Sequence, residues 1–369
     1  MADRRPSLPF PVPGGRRAVV VGAGSFGTAV GVLLVRAGLR VTLLARTAQQ
    51  AQRVNEEREN TTYLPGVELP RDLRVESGTG ALGRAELVFL AVPSRGLDEV
   101  IAGLRGTLGT RAPVISLAKG LVPPDGAAPS SLLRSLFGPA RVAVVGGPAH
   151  AQEMVKEGAG LVAASADERL AATLAQLFNR AGVVCEQSDD PVGVELAGAA
   201  KNAAALAAGA TEAQGLNAAG AAAGHIFAEV WRYAEGLGAR PESLIGLAGT
   251  GDLVATALAP QSRNRRAGEL LARGVPAAEV PGQVGQAVES FDLVPLLARA
   301  LDRAGVDAPV TGGLARLIAG ELPLDDWVAL VRTTVPAPAA RRDGFWRRLW
   351  TRVRDLFRRE PRPALPRAS

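Results

Sequence analysis

Cysteine is all but missing. The 369 residues hold one, Cys185, which excludes an internal disulfide and fits a reducing compartment. Its flanks, Gly182-Val183-Val184 and Glu186, read as a buried strand, so the thiol is expected to be core. Aromatic residues make up only 4%, so a core must come from Ala, Val and Leu. No charge-free apolar run reaches the roughly 20 residues that a membrane span needs. Residues 1–15 are proline-rich without a hydrophobic signal core, so the expected location is cytoplasmic. Lysine is the most telling shortage. Of 42 basic residues only Lys119, Lys156 and Lys201 are Lys. Arginine cannot give up its proton near neutral pH, whereas a desolvated lysine can. A lysine kept in so arginine-rich a chain is therefore a candidate for proton chemistry. Lys156, between Val155 and Glu157, reads as chance retention.

The length allows two domains, each with its own core. Ala18-Val19-Val20-Val21 is a strand-like run that ends in a glycine turn; a pattern of helical period follows over 28–37, then a second strand, Val41-Thr42-Leu43-Leu44. Further strand-like runs lie at 87–92, 113–117, 142–146, 160–164 and 182–185. Such alternation predicts a mostly parallel sheet with helices on both faces. After Asp189-Asp190-Pro191 the strand runs stop. Residues 193–331 read as helices only, with breaks at Gly236-Leu237-Gly238, Ala259-Pro260, Val275-Pro276 and Val280-Pro281-Gly282. The expected division is a flexible N-terminus (1–16), an α/β domain (17–190), an all-helical domain (191–335) and a tail (336–369).

The tail holds ten Arg against Asp343, Asp355 and Glu360, a net +7; the whole chain is +6, so residues 1–335 carry −1. The body is close to neutral, and no nucleic-acid partner is expected. Within the tail, Phe345, Trp346, Leu349, Trp350, Val353, Leu356 and Phe357 fall on one helical face, opposite Arg347, Arg348, Arg352, Arg354, Arg358 and Arg359. That pattern over 345–360 fits a helix lying peripherally on a membrane surface. A helix docked on its own domain or on another subunit fits too, as does a disordered tail.

The turn Gly22-Ala23-Gly24-Ser25-Phe26-Gly27 follows a strand and opens a helix. Gly22 permits the tight turn, Gly24 lets backbone approach a pyrophosphate, and Gly27 lets helix pack on strand. In that setting the spacing points to a dinucleotide. An acidic residue at the end of the second strand would bind the ribose of NAD(H). Here the chain has Ala45-Arg46-Thr47, and Arg46 can pair with the 2′-phosphate of NADP(H). NADP(H) is therefore expected to serve well and NAD(H) to serve too, unless Arg46 is merely a solvated strand end.

Reducing a ketone also requires a proton donor within hydrogen-bond reach. Lys201 lies in Val194-Glu195-Leu196-Ala197-Gly198-Ala199-Ala200-Lys201-Asn202, a small-residue helix that allows close packing and so a lowered pKa. Glu195 and Asn202 are expected to orient it. Two polar clusters follow. Gly249-Thr250-Gly251-Asp252-Leu253 is a glycine-flanked carboxylate or simply a tight turn. Ser262-Arg263-Asn264-Arg265-Arg266 is a phosphate-binding group of donors or a solvated basic face.

Taken in order, the glycine loop, Asn60-Thr61-Thr62-Tyr63-Leu64-Pro65-Gly66, Ala91-Val92-Pro93-Ser94, Ser116-Leu117-Ala118-Lys119-Gly120-Leu121, Gly147-Pro148, Gly193-Val194-Glu195-Leu196, Lys201-Asn202, residues 246–253 and residues 262–266 resemble the bacterial NAD(P)-dependent glycerol-3-phosphate dehydrogenases. The resemblance covers roughly residues 17–335. It implies a Rossmann dinucleotide-binding domain followed by an all-helical substrate domain, with the active site between them. It implies reversible reduction of dihydroxyacetone phosphate to sn-glycerol 3-phosphate, which supplies glycerophospholipid synthesis. Lys201 would then be the proton donor and acceptor. Lys119 would touch substrate and cofactor, Gly147 and Ala149 the substrate, and Asp252 both Lys201 and the substrate hydroxyl. Ser262, Arg263 and Asn264 would grip the phosphate. Cofactor contacts would come from Gly22, Gly24, Ser25, Phe26, Gly27, Arg46, Thr47, Lys119, Ala151, Arg263, Ala287 and Glu289. No metal is implied, and a homodimer is a further expectation. The chain departs from the family pattern at Ala149, where a hydroxyl is missing and His150 follows. It departs also at Ala219 and His225, in place of basic residues, and at Ser290, in place of glycine. Those changes bear on substrate affinity and leave open a relative that reduces another small keto acid or keto phosphate. A non-catalytic NADP-binding module is the remaining alternative.

Overall fold

A computed structural model of the chain describes residues 15–335, apart from 105, 110, 260, 261, 286 and 287. The tail and its proposed helix lie outside the described residues, as does Ala287.

The strands are β1 (Arg17–Val21), β2 (Arg40–Ala45), β3 (Glu59–Asn60), β4 (Leu64–Glu68), β5 (Leu73–Ser77), β6 (Leu87–Leu90), β7 (Val114–Ser116), β8 (Val142–Gly146), β9 (Gly160–Ser165) and β10 (Val184–Ser188). Eight of them form one sheet in the order β10-β9-β8-β7-β6-β1-β2-β5, while β3 and β4 make a separate antiparallel pair. Within the large sheet only β8 and β9 run antiparallel; the other neighbours are parallel. β1 is followed outward by β2 on one side, and β6 lies on its other side. A crevice at the carboxyl ends of the strands is expected where the winding reverses in this way.

The helices of the sheet region are α1 (Ser25–Arg36), α2 (Ala48–Glu57), α3 (Leu97–Leu104), α4 (Pro129–Phe137), α5 (Ala151–Lys156) and α6 (Glu168–Arg180). Beyond them come α7 (Pro191–Ala210), α8 (Leu216–Gly236), α9 (Pro241–Ile245), a π-turn at Leu247–Gly251, α10 (Asp252–Leu258), α11 (Arg263–Ala272), α12 (Val280–Val284), α13 (Glu289–Arg303), α14 (Pro309–Ile318) and α15 (Leu324–Thr333). The fold class is the expected one, a wound parallel sheet followed by helices.

Three local features differ from the sequence reading. The strand read at 182–185 begins at Val184. Gly182 takes a φ of +87° and Val183 N–H bonds back to Phe178 O, so both residues close α6 instead of entering the ladder. Pro281 does not break the chain; it sits in the first turn of α12, where its missing N–H costs nothing. β5 was not read at all, because Leu73-Arg74-Val75-Glu76-Ser77 is polar on one face and lies at the sheet edge.

α7 is the axis of the helical part, packed by α8, α10, α11 and α13. All its residues are buried except Val192 and Ala208. Its small residues make that possible. A Cβ on Gly209 would come 2.2 Å from Arg265 O, and one on Gly268 would come 2.1 Å from Leu206 O, so α7 and α11 touch backbone to backbone. Asn202 and Asn264 are thereby held within a hydrogen bond of each other, at 2.9 Å.

Candidate active site

The carboxyl ends of β1, β6, β7 and β8 lead directly into the loops that carry the polar groups. After β7 the chain turns to Lys119; after β8 it turns through Gly147, whose φ of +116° leaves its carbonyl facing Lys119. A Cβ there would stand 2.5 Å from Gly160 O, so only glycine fits. The π-turn delivers Asp252 to the start of α10, with Gly249 pressed against the Leu244 backbone.

These elements converge on one carboxylate. Asp252 Oδ2 accepts from Lys119 Nζ at 2.7 Å, and Oδ1 lies 3.2 Å from Lys201 Nζ. Lys119 Nζ donates as well to Gly147 O at 2.9 Å and stands 5.9 Å from the Phe26 ring centre. Lys201 and Asp252 are both buried, at 7% and 2% exposure, so water screens neither from the other. Burial lowers the Lys201 pKa from 10.5 to about 8; the Lys119 charge adds to the fall, and Asp252 and Glu289 oppose it. Burial pushes Asp252 the other way, but the two ammonium groups outweigh it and hold its carboxyl below the ordinary carboxylate range.

A second chain of amides braces the first. Asn202 Nδ2 donates to Lys119 O at 3.0 Å and to Glu289 Oε2 at 3.2 Å. Its carbonyl accepts from Asn264 Nδ2, and Asn264 Oδ1 accepts from Ser290 N–H at 3.2 Å. Asn202 thus steadies the Lys119 loop, not Lys201. Glu195 does not reach Lys201 either. Both its oxygens accept from Ser130 N–H at 3.0 Å, at the start of α4. Six positions before Lys201 on a helix of 3.6 residues per turn, it points to another side. Burial pushes its pKa up to about 8, against weaker opposing hydrogen bonds from Ser130 and Ser116. Thr256 was missed: its hydroxyl accepts from Lys201 Nζ at 3.1 Å. Spacing could have found it, since it stands four residues after Asp252 on α10 and so shares that face.

The glycine loop has the shape a nucleotide requires. A Cβ on Gly22 would be 2.5 Å from Ala91 O and one on Gly27 would be 2.0 Å from Gly22 O, whereas one on Gly24 would meet nothing within 4 Å. Gly22 and Gly27 are packing requirements; Gly24 leaves an open approach. Gly24 caps α1 with no side-chain hydrogen bond, and the first-turn N–H groups have no intrahelical acceptor. This cradle fits a pyrophosphate. Ser25 Oγ donates to Tyr63 O at 2.5 Å.

Arg46 is exposed at the end of β2, and the next residue, Thr47, spends its hydroxyl capping α2 by accepting from Gln50 N–H. Ser262 likewise caps α11; Arg263 is exposed in its first turn, and Asn264 is buried. Ala149 and Ala151 pack partly buried against the sheet core, with His150 between them, its Nε2 buried without a partner among the described residues. Cys185 is buried as expected, its thiol pushed up to about 12, chiefly by burial. No described helix is long and apolar enough to cross a membrane.

Two family models match. That for the NAD-dependent glycerol-3-phosphate dehydrogenase N-terminus covers residues 17–171, and that for the C-terminus covers residues 190–329. A glycerol-3-phosphate dehydrogenase [NAD(P)+] of Deinococcus radiodurans is 42% identical over 309 residues, 82% of this chain and 90% of the relative. That of Frankia casuarinae is 38% identical over 335 residues, 88% of this chain and 99% of the relative. The crystal structure of glycerol-3-phosphate dehydrogenase from Coxiella burnetii superposes with a TM-score of 0.81 at 28% identity, covering 87% of this chain and 99% of that one.

Proposed function

The chain belongs to the NAD-dependent glycerol-3-phosphate dehydrogenase family, and we propose that it catalyses the reversible NAD(P)H-dependent reduction of dihydroxyacetone phosphate to sn-glycerol 3-phosphate with Lys201 as acid and base. One observation carries the assignment of Lys201: a buried amine with its pKa brought down to about 8, on the carboxylate of Asp252, which also holds Lys119 from the loop after β7. A group that titrates near the working pH can both give and take a proton.

The bound nicotinamide supplies or receives the hydride. The chain's own residues do the rest. In ketone reduction, the Lys201 ammonium gives a proton to the carbonyl oxygen. In alcohol oxidation, its neutral amine takes the hydroxyl proton. Asp252, bonded to both lysines, fixes the direction of Nζ and favours the charged form. Lys119 is tied to Gly147 O and Asp252 and holds the substrate from the sheet side, beside Gly147 and Ala149. Ser262, Arg263 and Asn264 grip the substrate phosphate at the N-terminus of α11, where backbone N–H groups favour an anion.

Gly22, Gly24, Ser25, Phe26 and Gly27 hold the pyrophosphate region, Arg46 and Thr47 border the adenosine ribose, and Lys119, Ala151, Arg263, Ala287 and Glu289 complete the nucleotide site. NADP(H) serves well because Arg46 meets the 2′-phosphate; NAD(H) serves too. The product would feed glycerophospholipid synthesis. Residues 345–360 are proposed to lie on an anionic membrane surface, on the strength of their residue pattern. A homodimer is part of the same proposal, and sedimentation of the full chain tests it.

The deciding assay follows NADPH oxidation by the full chain with dihydroxyacetone phosphate and with other small keto acids and keto phosphates. Turnover with dihydroxyacetone phosphate alone supports the reading. Turnover only with another ketone overturns it.

A further inference from the structure

The carbonyl of Ala23 lies in the middle of the glycine loop, between the turn at Gly22 and the start of α1. It accepts two side-chain amides from different elements: Gln50 Nε2 of α2 at 3.1 Å and Asn60 Nδ2 of β3 at 3.1 Å. Asn60 is fully buried, and its second amide proton goes to Thr28 Oγ1 at 2.8 Å. The Thr28 hydroxyl has one proton, and it donates that to Gly24 O at 2.8 Å. Thr28 Oγ1 can therefore only accept from Asn60. This fixes the orientation of the Asn60 carboxamide, with NH2 toward the loop. Its Oδ1, on the opposite side, is buried without a partner among the described residues. A buried, unsatisfied oxygen costs free energy, so the orientation is held by what the NH2 group does at the loop.

The consequence concerns the peptide that joins Ala23 to Gly24. In a trans peptide the C=O and N–H point in opposite directions. With Ala23 O held toward Gln50 and Asn60, the Gly24 N–H is turned to the opposite face. Gly24, which has no Cβ to restrict its φ, leaves this peptide easier to rotate. Rotated, it would present a carbonyl oxygen where an anion must sit. We propose that Asn60 and Gln50 are positioning residues for nucleotide binding, which lock the Ala23–Gly24 peptide with its N–H toward the pyrophosphate. Neither touches the reacting atoms. The inference rests on the reading of the loop as a nucleotide site.

Its test is NADPH binding to the full chain, measured by titration calorimetry without substrate, with steady-state kinetics alongside. Asn60→Asp keeps the volume and removes both donors. Gln50→Ala removes the second donor at a half-buried position, so that variant stays informative if a buried aspartate impairs folding. The expected result is an NADPH Kd raised about tenfold for each folded variant, the loss of roughly one hydrogen bond to a buried carbonyl. KM for NADPH should rise in step, while kcat at saturating NADPH and KM for dihydroxyacetone phosphate stay within twofold of the parent. A merely structural role would move all of these together, or move none. If folded Asn60→Asp and Gln50→Ala both bind NADPH within twofold of a parent chain that binds it, the inference is overturned and the nucleotide site stands. If the parent binds neither NADPH nor NADH, the nucleotide reading falls and takes this inference with it.

Discussion

Lys201 Nζ stands 3.2 Å from Asp252 Oδ1, with both side chains buried, and the carboxylate's other oxygen is taken by Lys119. Two cations thus share one anion in a place poor in water. Lys201, the more deeply buried of the two, responds with a lowered pKa.

Removing that amine tests the mechanism. Lys201→Ala should lower kcat by about a hundredfold or more, since a positioned general acid contributes roughly 10²–10⁴. NADPH binding should survive. Lys201→Arg should fail nearly as badly, because a guanidinium cannot cycle its proton near neutral pH. Stopped-flow turnover with dihydroxyacetone phosphate reads both, and near-normal turnover by either variant refutes the assignment.

The pH profile carries a sign. Ketone reduction needs the ammonium, so kcat/KM for dihydroxyacetone phosphate should fall as pH rises through about 8. Oxidation of glycerol 3-phosphate needs the free amine and should rise through the same point. Asp252 raises the Lys201 pKa and Lys119 lowers it. Asp252→Asn should therefore shift the limb to lower pH, and Lys119→Met to higher pH, on top of their loss of rate. Shifts in the same direction would exclude Lys201 as the titrating group.

Glu195 makes a separate claim about stability. Its ordinary pKa is 4.5, and burial raises it to about 8 in the fold. Between those values the folded chain keeps a proton that the unfolded chain has released. The associated stability is complete below about pH 4.5 and is lost as pH rises through about 8. Glu195→Gln still has an oxygen to accept from Ser130 N–H and cannot ionise. Denaturant midpoints of this variant should depend less on pH across that window, and above pH 8 it should be the more stable chain. A parallel pH profile for the two proteins would contradict the buried, protonated state.

Much of this was legible in the sequence, for physical reasons that can be named. The glycine loop was readable because its spacing answers to steric demands, which the approach of Gly27 to Gly22 O bears out. The wound sheet was readable because strands buried on both faces leave apolar runs. β5 left none, being half polar at the edge. Gln50 was invisible for another reason. Glutamine is common on helices, and only the fold shows that this one meets Ala23 O. Thr256, which meets Lys201 Nζ, left a weaker trace, its spacing of four from Asp252. Glu195 misled because nearness in sequence to Lys201 is not nearness around a helix.

Arg46 decides cofactor choice if it meets the 2′-phosphate. Arg46→Asp would put a carboxylate in its place, which repels that phosphate and suits a free ribose hydroxyl. KM for NADPH should rise about tenfold or more, in keeping with the loss of a charge-assisted contact, while KM for NADH falls or holds. Kinetics with both nucleotides at saturating dihydroxyacetone phosphate give the ratio. An unchanged ratio would make Arg46 a solvated strand end and nothing more.

The arginine-rich tail separates cleanly from catalysis in its expected effects. Its net charge of +7 and its Trp, Phe and Leu face suit an anionic bilayer surface. A chain ending at residue 335 should keep kcat and both KM values, because every proposed site residue precedes that point. It should no longer sediment with phosphatidylglycerol vesicles, whereas the full chain should. Because surface charge is screened over about 8 Å at physiological salt, added salt should weaken the full chain's binding and leave a salt-resistant part from the apolar face. Full-length protein that stays in the supernatant with such vesicles at low salt would rule out the membrane role and leave docking on protein or a disordered tail.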